Sequence, residues 1–151
     1  MGAKIEKLQW SEKDFEKMGW HDNHVYGLAL NVEEFKFVLD IDYILEWVKP
    51  NEKETYFKFW VAPATLVFKN VRDLVLNFEG GLEIGIEEIL RKEIKTAKKI
   101  EYDWRIVTSV GLICFKSSGY EQYIRNPPKL IENQKIGLNN RGGISFETVS
   151  V

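Results

Sequence analysis

Glu34-Phe35-Lys36-Phe37-Val38-Leu39-Asp40-Ile41-Asp42-Tyr43-Ile44-Leu45-Glu46-Trp47-Val48 is the longest stretch of the chain whose residue character alternates with a period of two. Side chains along a strand point to opposite faces in turn, so Phe35, Phe37, Leu39, Ile41, Tyr43, Leu45 and Trp47 share one face. The other face carries Glu34, Lys36, Asp40, Asp42 and Glu46, interleaved with Val38, Ile44 and Val48. A helix would scatter the aromatic residues around its axis. The pattern predicts a long central strand over residues 34–48, with one apolar face against a core and one acidic face.

The chain has 151 residues, read as a single globular domain over residues 1–151 that needs no cross-links to fold. Its one cysteine, Cys114, rules out an internal disulfide, and no apolar run is long enough to span a bilayer. The N-terminal Met1-Gly2-Ala3-Lys4-Ile5-Glu6 lacks the apolar core of a secretory signal, and Glu6 breaks the myristoylation pattern. A cytoplasmic location is therefore expected. A net charge of -2 and a pI near 5.8 provide no bulk attraction to nucleic acid or anionic lipid. The 13% aromatic content, with five tryptophans, favours pleated, half-buried surfaces and hence a β-rich fold.

Around the central stretch, residues 20–30, 56–61, 65–69, 73–78, 102–107, 112–116, 120–124 and 144–151 read as further strands, with an end or bulge expected at Ala62-Pro63. Residues 1–10 are expected to form a loose arm. Ser11 to Gly19 reads as a short helix, capped by Ser11 and Asp14 and stopped by Gly19 in a left-handed conformation. From Gly85 to Lys99 the apolar residues Ile86, Ile89, Leu90, Ile94 and Ala97 recur at helical spacing. Glutamates open that segment and lysines close it, as the helix dipole favours. The expected class is mainly β with α (α+β): an antiparallel β-sandwich or strongly curved sheet, with one amphipathic helix and a short N-terminal one.

Trp20-His21-Asp22-Asn23-His24 holds both histidines. On a strand only Asp22 and His24 share a face, too few for a catalytic zinc, which takes three protein ligands. The segment is read as structural, with Asp22 and His24 as binding candidates. Asp40, Asp42 and Glu46 share the acidic face, with neighbouring positions about 6.8 Å apart. Pairing with Lys58, Lys69, Arg72, Arg105 or Arg125 competes there with a partner-binding patch and with a magnesium or calcium site. Tyr120, Tyr123 and Arg125 lie at a strand end before Pro127-Pro128, where they suit a ligand rim. Cys114 reads as a small buried hydrophobe, the basic residues of 91–99 as a solvated face, and Arg141-Gly142-Gly143 as a turn rather than a phosphate loop. No metal or cofactor is expected.

At Trp20-His21-Asp22-Asn23-His24, Leu39-Asp40-Ile41-Asp42-Tyr43-Ile44, Pro63-Ala64-Thr65-Leu66-Val67-Phe68 and Arg141-Gly142-Gly143-Ile144-Ser145-Phe146 the chain resembles a group of uncharacterised bacterial proteins. More remotely, the Trp-His-Asp opening followed by a long amphipathic strand is similar to some immunity proteins of bacterial polymorphic toxin systems. That resemblance implies a small cytoplasmic protein that neutralises a toxin by binding it, without assigning a site. The modest net charge departs from the strongly acidic character of many nuclease inhibitors. The expectation is a non-enzymatic protein-binding module, immunity-like, using the Asp40, Asp42 and Glu46 face. The alternatives are a metal-dependent hydrolase in which Asp22, His24, Asp40 and Asp42 converge, and a carbohydrate- or small-ligand-binding β module.

Overall fold

The computed structural model describes residues 8–151. Residues 1–7 of the expected N-terminal arm lie outside the described residues. Ten strands follow in chain order: β1 (Gln9–Ser11), β2 (His24–Asn31), β3 (Lys36–Val48), β4 (Lys58–Lys69), β5 (Arg72–Phe78), β6 (Ile84–Lys95), β7 (Ile100–Thr108), β8 (Gly111–Ser117), β9 (Gly119–Ile124) and β10 (Lys129–Ile131). All pairings are antiparallel, in the order β1-β9-β4-β3-β2-β6-β7-β8-β5, with β10 added to β4 beside β9. The class is mainly β, as expected, but the sheet is a single one that is not closed into a barrel and is folded at one seam rather than curled along its length.

The two halves of this sheet meet at a narrow seam, where β2 pairs with β6 only through His24↔Gly85 and Val25↔Ile84. Phe68 on β4 and Phe115 on β8 are five strand steps apart, about 24 Å in a flat sheet at roughly 4.8 Å per step. Their ring centroids are nevertheless 4.7 Å apart, so the sheet doubles back at the seam and encloses one core. Phe37, Leu39, Ile41 and Tyr43 from β3 meet Trp104, Ile106, Ile113 and Phe115 from the other half there. Trp20 enters the same core, its indole N–H donating to the buried Gln122 side chain at 2.8 Å.

The expected amphipathic helix over residues 85–99 is a correction: the segment is strand β6, and the described chain contains no α-helix. The register explains the helical spacing. Ile86 pairs with Thr108 but Glu88 with Val107, so Glu87 is the extra residue of a β-bulge. The bulge turns both Ile86 and Ile89 inward although they are three apart, which mimics one turn of helix. Leu90, which a helix would bury beside Ile89, faces solvent.

The N-terminal segment forms a 3-10 helix, Glu12–Lys17, with the expected cap: the Asp14 carboxylate accepts from the Ser11 N–H at 2.9 Å. Gly19 is not its stop, because Met18 in extended conformation ends it. Residues 58–69 run as one strand through Ala62-Pro63 instead of breaking there. Pro63 falls opposite the gap between β9 and β10, so its missing N–H leaves no unmade ladder bond on that side. Residues 144–151 lie along the sheet without joining its ladder, so the expected last strand is absent.

The bulge sets a measurable contrast. Ile89→Ala opens a cavity in the core and should destabilise the protein by about 2–5 kcal/mol, whereas Leu90→Ala should stay within about 0.5 kcal/mol of wild type. Urea denaturation of the two variants measures this; equal losses would restore the helical reading.

Candidate functional site

The even-numbered face of β3 is not an exposed acidic patch. Val38, Asp40, Asp42 and Ile44 are all buried. The segment after β10 covers them, and one side chain of it fills the space between the two carboxylates. Arg141 donates through Nε to Asp42 Oδ1 at 3.0 Å, and through Nη1 and Nη2 to Asp40 Oδ2 and Oδ1 at 2.8 and 2.7 Å. Its remaining N–H groups reach the Gly143 carbonyl at 2.6 Å and the Ile41 carbonyl at 3.1 Å. A guanidinium has five N–H donors, and these bonds use all of them.

All four carboxylate oxygens accept hydrogen bonds. Asp40 also accepts from Arg125 Nη2 at 2.8 Å and from the Ser145 N–H at 2.9 Å. Asp42 accepts from the Tyr26 hydroxyl at 2.8 Å and the Ile136 N–H at 2.6 Å. Tyr26 reaches this face through a second bulge, between Val25 and Gly27 of β2, and its ring lies 4.0 Å beneath the Arg141 guanidinium carbon. Two aspartates and two arginines balance in charge, which a buried ionic group requires.

Electrostatics follow from this packing. Burial works against the Arg141 charge, but the bonds to Asp40 and the charges of Asp40 and Asp42 outweigh it, and its pKa is raised. Burial, then the bond to Asp42, raises the Tyr26 phenol, which therefore stays a donor. His24 is shifted the other way: burial, then Lys135, lowers it below 6.5.

The sequence-predicted candidates scatter around this clasp. Asp40, Asp42 and Arg125 are inside it, which makes them unavailable to a partner. Asp22 and His24 line a separate cleft of about 750 Å³ with Glu83, Ser109 and Lys135. Asp22 there accepts from Gln134 Nε2 at 2.9 Å, while its backbone N–H bonds the Ile86 carbonyl across the seam. Tyr120 and Tyr123 do not form a rim, since they point to opposite faces of β9. Tyr120 is buried in the core with its hydroxyl on Met18 Sδ at 3.0 Å, and Tyr123 donates to Glu121. Glu46 is exposed. Cys114 is half-buried rather than fully enclosed. Asp22, His24, Asp40 and Asp42 do not converge, and no group of three or more His, Cys, Asp or Glu among the described residues is placed to hold a metal ion.

Two features escaped the sequence reading. Arg141 looked like part of a turn, and indeed Gly142 and Gly143 take φ of +86° and +85°, but that turn is what aims its side chain inward. The signal was present: carboxylates interleaved with Val38 and Ile44 mark a buried face, and buried carboxylates demand cations. The second feature is an aromatic tip. A bulge at Leu45 moves Trp47 off the core face, where alternation had placed it, onto the face of Phe59. The Trp47 and Phe59 rings are 5.1 Å apart, and Phe57 stands 6.1 Å from Trp47. Trp47 remains 43% and Tyr56 79% exposed. They adjoin a groove of about 700 Å³ lined by Tyr56, Phe57, Phe59, Glu132, Asn133 and Gln134. Comparison with family models, with curated proteins and with solved structures finds no match for this chain.

Removing the clasp's centre leaves two carboxylates buried without their cation. Arg141→Met should destabilise by about 3–5 kcal/mol, and Arg141→Lys should fail to restore the loss because an ammonium cannot span both aspartates. Chemical denaturation gives the values, and a loss below about 1 kcal/mol would remove the clasp from its structural role. The His24 shift has a defined sign. Below pH 6.5 the unfolded histidine takes up a proton before the folded one does. Stability is therefore full above that pH and declines as pH falls towards the lowered folded value. A series of melting temperatures should show this decline, with a shallower slope in His24→Gln.

Proposed function

We propose that the chain is a non-enzymatic module that binds a protein partner, as an immunity protein binds its toxin, through the aromatic tip of β3 and β4. The exposed Trp47, Tyr56 and Phe57 carry this reading. Tryptophan and tyrosine in such positions are enriched among the few residues that dominate interface energies. Water on these rings is released only when another surface covers them.

The clasp serves this surface. One wall of the groove is Glu132-Asn133-Gln134, and that segment is tied to the sheet by Gln134 to Asp22 and by the Ile136 N–H to Asp42. A wall fixed before binding loses little entropy on association. Glu54 and Glu132 line the groove with a single cation, Lys58, which pairs with Glu54 at 2.9 Å, so the groove is left acidic and a partner with a cationic rim fits best. The acidic face of the sequence reading thus becomes the internal support of the binding surface, which lies at the strand's end.

Titration calorimetry against toxin domains encoded beside this chain tests the reading. The Trp47→Ala/Phe57→Ala variant should keep its fold and bind about 100-fold more weakly, the loss of one or two hot-spot side chains. Absence of binding to every such domain, or unchanged affinity in the double variant, would reject it. Binding of oligosaccharides by the same rings would move the assignment to a carbohydrate module.

A further inference from the structure

Strand β5 ends the sheet order, and among the described residues β8 is its only strand neighbour. The phase of its hydrogen bonds is fixed by the Glu79 N–H, which donates to the Val110 carbonyl at 2.8 Å. Bonding alternates along an antiparallel pair, so Asn77 and Val75 exchange bonds with Leu112 and Cys114. The N–H and C=O groups of Leu76 and Phe78 therefore point to the open edge.

Edges of this kind are usually blunted by lysine, proline or a bulge. Here the bulge and the charges sit at one end, at Arg72 and Asp73, where Asp73 takes φ +55°. Leu74-Val75-Leu76-Asn77-Phe78 contains no charge and no proline. Leu74 and Phe78 pack against the core, while Leu76, on their face, is 42% exposed, and Val75 on the other face is 57% exposed. The opposite end of the sheet, β1, is three residues long and offers little to pair with.

We infer that β5 pairs antiparallel with β5 of a second copy of this chain, about a twofold axis at Leu76. This register makes Leu76 exchange both backbone hydrogen bonds with its counterpart. It also sets Leu74 of each copy opposite Phe78 of the other, so the three core-side residues form one apolar row across the junction. Val75 meets Asn77 on the outer face. Asp73 falls opposite Glu79 at each end, and its charge is offset within its own chain by Arg72 and Lys116 at 3.1 and 3.4 Å. A twofold contact of this type uses the same patch on both copies and closes after two. The aromatic tip belongs to other strands, so the pairing leaves it free for its partner.

Sedimentation equilibrium of the full chain over a concentration series should show a monomer–dimer equilibrium, and Leu76→Lys should abolish the dimer while leaving the far-UV circular dichroism unchanged. On a Cys114→Ser background, Leu76→Cys should cross-link into a dimer on mild oxidation, whereas Leu82→Cys, at a fully exposed site beyond the strand, should not. The cross-link decides the matter if Leu76→Lys does not fold. A protein monomeric at every concentration, a dimer indifferent to Leu76→Lys, or equal cross-linking at positions 76 and 82 would each overturn the proposal.

Discussion

A single guanidinium between two buried aspartates is what the arrangement of the outer face depends on. Isolated in an apolar interior, Asp40 and Asp42 would each carry a desolvation cost of several kcal/mol. That cost is offset because Arg141 uses every one of its donors and Arg125, Tyr26, Ser145 and Ile136 complete the acceptor side. These bonds require Ile136, Arg141 and Ser145 of the chain after β10 to lie against β3 together. The clasp therefore acts less as a source of stability than as a positional constraint, holding an otherwise irregular segment against the sheet.

Much of the molecule's organisation follows from that constraint. β3 is buried on both faces, by aromatic packing on one and by the polar clasp on the other. Gly27 lets the covering segment approach β2 closely: a Cβ there would stand 3.0 Å from Phe146 and 3.1 Å from Ile144. With both faces of the centre occupied, the groove beside Trp47 and the free edge of β5 are two of the peripheral places where apolar groups meet solvent. Both lie at the periphery of a rigid sheet, where binding surfaces can be held without disturbing the core.

Local irregularities in the strands decide which side chains reach those places. A bulge adds one residue, and one residue is enough to send everything after it to the opposite face. The bulge at Leu45 turns Trp47 outward, the one at Tyr26 brings a phenol to Asp42, and the one at Glu87 buries Ile86 and Ile89 together. Phe35 shows another departure from alternation: it closes the β2–β3 turn with φ +57° and is 65% exposed, although its parity places it in the core.

The sequence by itself determined the long strand read over residues 34–48, which the structure begins at Lys36, the middle of its inward row from Phe37 to Tyr43, the mainly antiparallel class and the capped turn at Ser11. Each of these rests on local chemistry: strict alternation, β-branched and aromatic content, and a side chain within three residues of the backbone group it bonds. Only the tertiary structure decided that 84–95 is a strand, that the acidic face is interior, and that Arg141 lies between its aspartates. Those outcomes depend on contacts between residues about a hundred positions apart and on bulges that shift parity by one. The interleaving of Asp40 and Asp42 with Val38 and Ile44 marks a buried face, but neither the identity of their cation nor the place of a bulge leaves a periodic trace, because a buried charge reveals its partner only when both have been brought together.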